Sequence, residues 1–439
     1  MTTNQNYQQI YRVGGMLDAG FVGQITYTIS LDQVYDELDI HFSFDKRLYS
    51  ESDVTPELID KLQTLCTAKY DAPTYPVEKF RQTILHEMKT EIHTMAELND
   101  NFIGCIHRQL TDRHMLYTKE FTSDGCLAQD TFSGVLKVTV LVFNVLLDNT
   151  QYTLTVSGHP VRQGVIAPNF NLMDTVKTAA GNTGASNAAG SADTSCEAES
   201  APASAVATAG SSGVSGAGSA ATAGDSSTTG SSSAGNTVTA STRFKRLELH
   251  NHTVESDGSL TCQELTEYLA ADHVDAFAIT DHNTTSGQKK IEQLLEEKHY
   301  PISLIRGMEY TTYFGHILCL NLSKYVPWNS IDQHRPELLF EAAREKGALV
   351  GIAHPFSYGD PFARGCRFEM TISDYSKVDF IEIFNNPEPL HEVNERGTNL
   401  WMSLIFSGYQ ITATSGMDLH NRAKLAGCYA TYIEGKSGD

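Results

Sequence analysis

Residues 247–257 read Leu-Glu-Leu-His-Asn-His-Thr-Val-Glu-Ser-Asp. Leu247 and Leu249, with Phe244 before them, alternate as in a half-buried strand, and Ser256-Asp257-Gly258 supplies a turn just beyond it. Alternate side chains of a strand share a face, so His250 and His252 form a two-point claw near the strand's C-terminal end, able to hold one cation between them. Alone the claw is a weak signal, because with 16 histidines in 439 residues a chance His-x-His is expected in about every second such chain.

The residues downstream of the claw strengthen it. Thr261-Cys262-Gln263-Glu264 has capping-box spacing ahead of Leu265, Tyr268 and Leu269, so a helix starts there. Strands are expected at 276–280, 303–310, 316–322, 349–353, 380–384, 411–414 and 428–433, and helices at 286–298, 337–346 and 391–406. Repeated β-then-α units predict a parallel sheet with crossover helices, open or closed into a barrel, of which a small barrel is the preferred reading.

Ligand-type residues recur at the ends of these strands: His250-Asn251-His252 and Asp257, then Asp281-His282-Asn283, Glu309, Gly315-His316, His354-Pro355, and Asp418-Leu419-His420. Each has a structural alternative, such as a helix cap for Asp281-His282-Asn283 or a satisfied core histidine for His354. Their recurrence once per βα unit favours chemistry. In parallel α/β folds the C-terminal strand ends converge on one mouth, so His250, His252, Asp257, His282, Glu309, His316, His354, Asp418 and His420 could meet in a single cleft. Imidazole and carboxylate without thiolate suit Zn, Mn or Fe(II).

Upstream, residues 1–173 mix β-branched and aromatic runs with turns and are expected to form a β-rich, sandwich-like domain, with strands at 24–31, 38–44, 115–121, 135–147 and 151–156. The stretch 77–98 carries both helical and alternating periodicity. His41, His86, His93, His107, His114 and His159 share no spacing and read as surface or hydrogen-bonded structural histidines. Residues 174–243 are rich in Ala, Gly, Ser and Thr; such a tract cannot offset its ordering entropy by burial and is expected to be a disordered linker that leaves the flanking domains loosely positioned. As a Gly/Ser coil its reach would be on the order of 45 Å. The catalytic domain is expected at 244–439.

The net charge of −21 repels nucleic acid and anionic membrane surfaces, so no stable binding to either is expected. The start of the sequence lacks a basic and apolar leader, and no apolar run approaches spanning length, which predicts a soluble, cytoplasmic protein. Eight cysteines without Cys-x-x-Cys pairing read as free thiols.

The motifs HNH, the following Asp, TDHN, GME, GH, AHP and SGMDLH, in that order, resemble the PHP (polymerase and histidinol phosphatase) domain family over residues 244–439. The resemblance implies a distorted seven-stranded (β/α) barrel holding two or three divalent metal ions. Carried over by motif, His250, His252, Glu309 and Asp418 resemble the ligands of one ion. Glu309, as a bridge, with His316 and His354 resembles the second set, and Asp257, His282 and His420 the third, with Asp257 where other members have His. The N-terminal β module and residues 394–408 (NERGTNLWMSLIFSG) look most like the branch that includes carbaryl-type carbamate hydrolases and predicted phosphoesterases. The sequence ends soon after its last strand, where relatives often continue.

Two cations about 3.5–4 Å apart would lower the pKa of a shared water and supply hydroxide as nucleophile, leaving another to bind substrate oxygens. Asp257 and Asp281 are candidate catalytic carboxylates, Asp281 by orienting a ligand histidine through its ring N–H. Arg364 and Arg367, in the loop 357–368, are candidates for gripping a small anionic, phosphorylated substrate, with Arg422 a weaker one. The expected function is a metal-dependent phosphoesterase acting on a small phosphorylated metabolite or nucleotide. The alternatives are a carbamate or amide hydrolase with the same metals and a non-catalytic metal-containing binding module, with the N-terminal domain's protein partner left open.

Overall fold

The structure is a computed structural model that describes residues 7–46, 48–70, 76–146, 149–161, 243–385, 391–425 and 428–435. The stretch expected as a linker lies outside the described residues except for Arg243, which opens a strand. The described residues form two sheets, one of them nearly barrel-shaped.

The first sheet contains β1 (Gln8–Leu17), β2 (Gly23–Phe44), β3 (Glu91–Leu98), β4 (Asn101–Ile106), β5 (Asp112–Tyr117), β6 (Phe132–Asn144) and β7 (Thr150–Pro160), with α1 (Pro56–Tyr70) and α2 (Val77–Glu87) between β2 and β3. Its order is β1-β7-β2-β6-β3-β4, with β5 on β2, and every pairing is antiparallel. The expected sandwich is thus one hydrogen-bonded sheet. The segments read as two strands at 24–31 and 38–44 are one long strand, whose first part pairs with β6 and whose second part pairs with β7 and β5 across an irregularity between Leu31 and Tyr35. Both periodicities in 77–98 are real and successive: α2 buries Phe80 and Ile84, and β3 comes after it.

The second sheet contains β8 (Arg243–Glu248), β9 (Ala276–Ile279), β10 (Ser303–Thr312), β11 (Gly315–Leu320), β12 (Leu349–Ile352), β13 (Phe380–Asn385), β14 (Thr412–Gly416) and β15 (Thr431–Gly435), in the order β14-β13-β12-β11-β10-β9-β8-β15. Helices α3 (Cys262–Ala271), α4 (Ser286–Lys298) and α6 (Glu392–Phe406) make crossovers between parallel neighbours, and α5 (Glu337–Arg344) lies between β11 and β12. Helix α3 starts on the capping box of Thr261 and Glu264. Two features depart from an all-parallel expectation. Strand β11 is antiparallel to both β10 and β12, because only Tyr313 and Phe314 separate β10 from β11 and so short a turn makes a hairpin, not a crossover. Strand β15 adds an antiparallel eighth member beside β8. Beyond β14 the chain bends back: Leu419 N donates to His250 O (3.1 Å) and His252 N to Leu419 O (3.0 Å), drawing the two ends of the sheet together.

Both halves belong to one compact unit, so the loose placement expected for them is not what the fold shows. Met95, Cys105, Leu141 and Phe143 of the first sheet share a buried cluster with Met308, Tyr310, Ile317 and Trp328 of the second half. Burying large apolar side chains at about 25 cal/mol per Å² makes such a seam a cohesive element, not a sliding contact. Among the described residues all cysteines are free thiols, and no helix is long and apolar enough to cross a membrane.

Candidate metal centre

Glu309, on β10, is fully buried and sits at the middle of a histidine cage. Its Oε2 lies 3.2 Å from His250 Nε2, 3.4 Å from His252 Nε2 and 3.0 Å from His282 Nδ1. Its Oε1 lies 2.9 Å from His316 Nδ1 and 3.1 Å from His354 Nε2. Asp418 faces the same space, with Oδ1 3.0 Å from His252 Nε2 and 3.3 Å from His250 Nε2. Asp257 Oδ1 is 3.2 Å from His420 Nε2 and 3.5 Å from His282 Nε2. All nine side chains singled out as candidate ligands therefore lie around one site.

Among the described residues five groups have ligand atoms mutually close enough for one ion; three of them make up this cage, namely His250, His252, Glu309 and Asp418; His282, Glu309 and His316; and His252, Asp257, His282 and His420, while Glu91, His93 and His107 form a fourth beside it and His41, Asp112 and His114 a fifth elsewhere on the first sheet. Within them His250 Nε2, His252 Nε2, His316 Nε2, Glu309 Oε2, Asp418 Oδ1 and Asp257 Oδ1 are buried without hydrogen-bond partners. Buried polar atoms are normally satisfied, so a convergent set of unsatisfied N and O atoms fits a cation. The residues present thus fit divalent metal ions.

The backbone is bent to serve this arrangement. His354 and Asp418 have φ of 21° and 49°, unusual for non-glycine residues and of a kind that clusters at functional sites. At Gly416 a Cβ would meet Glu382 Oε1 at 2.4 Å and His250 Cβ at 2.6 Å, so only glycine lets β14 pass this close.

Outer partners orient the cage. Glu382 Oε1 lies 3.0 Å from His250 Nδ1, while its Oε2 accepts from His354 N (3.0 Å) and Asn385 Nδ2 (2.9 Å). His354 Nδ1 is 3.1 Å from Cys366 O, and His282 Nδ1 is 2.5 Å from Thr311 Oγ1. Glu248 accepts from Met417 N (2.8 Å). Asp281 does not have the role expected of it. Its oxygens accept from Thr253 N (2.7 Å), Thr253 Oγ1 (2.9 Å) and Ser256 Oγ (2.7 Å), so it holds the loop that carries Asp257, and none of these partners is a histidine.

Burial would raise the Glu309 carboxyl, but the imidazoles of His250, His316 and His282 outweigh it and hold the group well below the ordinary carboxylate range. Burial pushes His252 down to about 3, reinforced by His282 and His420. For His420 burial acts downward, yet Asp418 and Asp257 prevail and lift it to about 10. Burial raises Asp281 to about 6 and Glu248 to about 7 against the hydrogen bonds they accept.

A cavity of about 150 Å³ opens on the cage and is lined by Asp257, His282, His316, His354, Asp418, His420 and Arg364, and also by Lys89, Glu91 and His107 from the first half. A larger hollow of about 520 Å³, lined by Gly14, Asp45 and Thr153 among others, lies at the first sheet and carries no histidine. Arg364 pairs with Asp360 (3.2 Å) on the cavity wall. Arg367 instead lies over the rings of Tyr70 (5.2 Å) and Phe356 (5.4 Å), and Arg422 over Tyr268 (5.7 Å), neither lining the cavity.

Of the histidines read as surface or structural, His41 and His114 stack beside Asp112 in partly exposed positions, His159 pairs with Asp36 and His86 with Gln82. His93 and His107 are different: both are buried, and His107 stacks on His282 at 4.1 Å. Sequence reasoning missed them, and it missed Glu382, Glu248, Lys89 and Glu91.

Known proteins resemble the chain in parts. Residues 7–163 match the Family of unknown function (DUF6669). An uncharacterized protein, MJ1587, of Methanocaldococcus jannaschii is 30% identical over 112 residues, covering 26% of this chain and 58% of that protein. A 5'-3' exoribonuclease of Haemophilus influenzae is 36% identical over 141 residues, covering 30% of this chain and 50% of that protein. The chain thus spans little more than half the length of these curated relatives. Among solved structures, a two-domain protein of Bacteroides vulgatus containing a predicted PHP-like metal-dependent phosphoesterase is similar at 18% identity and TM-score 0.32, over 41% of this chain and 53% of that one. An amidohydrolase of Chromobacterium violaceum, with bound sulfate and no metal, is similar at 15% identity and TM-score 0.31, over 43% of this chain and 91% of that one.

Proposed function

We propose that the chain is a metal-dependent hydrolase of phosphate esters, built on a distorted PHP-like barrel, and that its substrate is a small phosphorylated metabolite or a nucleotide. The observation that carries this reading is Glu309, whose two oxygens face different histidine groups in a buried site with unsatisfied ligand atoms. His250, His252, Glu309 and Asp418 would hold one ion, Glu309 with His316 and His354 or His282 a second, and Asp257, His282 and His420 a third. Bound there, Zn, Mn or Fe ions would supply Lewis acidity toward a phosphoryl oxygen and toward the attacking water.

The chain's own residues do the positioning. Glu382 faces His250 Nδ1, which turns Nε2 inward as a ligand atom. Arg364 and Lys89, both on the cavity wall, offer cationic groups to a phosphate. The relatives named 5'-3' exoribonuclease support phosphoester chemistry and a nucleotide substrate, while the net charge of −21 weighs against tight binding of long nucleic acid.

The test is metal analysis of the purified chain combined with phosphomonoester, phosphodiester and carbamate panels. Bound divalent metal with phosphate-ester hydrolysis supports the reading, and carbamate or amide cleavage alone would replace it.

A further inference from the structure

One wall of the candidate metal centre comes from the other half of the chain. His107, just past β4, is 4% exposed; its ring stacks on His282 at 4.1 Å and 25°, and its Nε2 lies 3.5 Å from Asp257 Oδ2. Asp257 is thereby held between two sets of partners, with Oδ1 toward His282 and His420 and Oδ2 toward His107. The carboxylate torsion of an aspartate is broad, so whatever holds one oxygen sets the direction of the other.

His107 is itself braced. His93 packs against it at 3.9 Å, with Nε2 3.2 Å from Glu91 Oε1, and Gln109 Nε2 donates to that same oxygen (3.1 Å). Phe143 closes the far side of His93 at 4.6 Å. The backbone around Asp257 is tied to the first half as well. Gly125 N donates to Glu255 Oε2 (3.1 Å), and Arg108 Nη2 donates to Gly258 O (3.4 Å). Thr284, from the loop before α4, donates to Gly125 O (2.9 Å). Gly125 has φ of 79°, and a Cβ there would meet Cys105 O at 2.3 Å and Glu255 O at 2.9 Å, so this close approach needs glycine. The loop is therefore gripped at 255, 257 and 258 by residues of the N-terminal half.

We propose that the N-terminal module is part of the metal centre, with His107 the positioning residue that aims Asp257 at the ion shared with His252, His282 and His420. The inference rests on the metal-centre part of the proposed function. It gives the module of the family of unknown function a role: it completes the site, and does not serve only to recruit a partner.

The full chain is loaded with Co²⁺, and binding is followed by competitive titration and by the visible ligand-field spectrum. His107→Ala should weaken one class of Co²⁺ site by about 10–100-fold and change its spectrum, leaving the remaining class unaltered. His107→Gln, whose amide N–H can stand in for Nε2–H, should restore most of the affinity. If His107→Ala does not fold, His107→Leu against His107→Gln makes the same comparison at near-native volume. Wild-type Co²⁺ affinities and spectrum in both His107→Ala and His107→Leu would overturn the inference, even if the wild type hydrolyses phosphate esters. A weakened site in a protein that cleaves none of the panel would sink the hydrolase reading and leave this inference standing.

Discussion

Glu309 Oε2 and His250 Nε2 lie 3.2 Å apart, both fully buried, and yet are not aligned as a hydrogen bond. Two polar atoms at that distance normally align as donor and acceptor. Their misalignment has a simple cause if both lone pairs aim at a third point between them.

Glu309→Gln and His250→Ala should therefore each lower divalent metal content and hydrolysis together. The loss should exceed the about 10–100-fold typical of removing an outer hydrogen-bond partner, because a ligand itself is gone. Metal per chain and phosphatase rate, measured on the same preparation, check it; wild-type values for both would remove the metal assignment.

Glu382→Gln probes the next layer. It keeps the size of the side chain and weakens the contacts to His250 Nδ1, His354 N and Asn385 Nδ2. Metal affinity or rate should fall by about 10–100-fold, and one buried donor left facing the amide should cost about 1–3 kcal/mol of stability; metal titration and urea melts on the same preparation check both.

The two loop arginines should separate. Arg364→Ala removes a cation from the cavity wall and should raise KM for phosphorylated substrates several-fold. Arg367→Ala removes a guanidinium stacked on Tyr70 and Phe356 and should cost about 0.5–2 kcal/mol of stability while leaving KM alone. Urea melts and steady-state kinetics on both variants distinguish the roles.

Phe143 lies between His93 (4.6 Å) and Tyr313 (4.7 Å), in the seam between the two halves. Phe143→Ala should destabilise by about 3–5 kcal/mol, and unfolding followed by circular dichroism should stay a single transition, because the seam is part of one core. Two well-separated transitions in the wild type would contradict this.

Asp36 contacts Lys119 (2.8 Å) and His159 (2.7 Å). Burial acts to raise its carboxyl, but these partners outweigh it and pull the group below its ordinary range. A carboxyl depressed in the folded state stabilises above its unfolded pKa, and that stability is lost as pH falls through the folded value. The wild type should lose this contribution below about pH 4, whereas Asp36→Asn, neutral throughout, should show a smaller drop between neutral and acid melts.

The cage was legible in the sequence because strand ends and ligand types coincide: His250, His282, His354 and Asp418 each lie two or three residues beyond a strand, and Glu309 sits in the last part of β10. Asp281 was misread because its neighbours in sequence suggest a histidine partner, whereas the loop 253–256 folds back over both its oxygens. Glu382 and Glu248 were invisible, since each looks like an ordinary polar position on a strand. His93 and His107 share no spacing and read as structural histidines in the sequence, and only the folded hairpin brings them together. Asn99 and Asp100, at φ 50° and 63°, mark a tight turn between β3 and β4, and counting back from it places these histidines near each other. An irregularity between Ala96 and Glu97 shifts the register by a residue, and nothing in the local pattern announces it.

The cavity over the cage holds only about 150 Å³ and is walled on one side by His107 and on another by Arg364. A volume of that size matches a phosphoryl group, so the rest of a longer substrate would lie outside it. A phosphate carried on a small leaving group would then reach the cage with the fewest contacts beyond it, so a phosphomonoester panel graded by the size of the leaving group would read the depth of that opening.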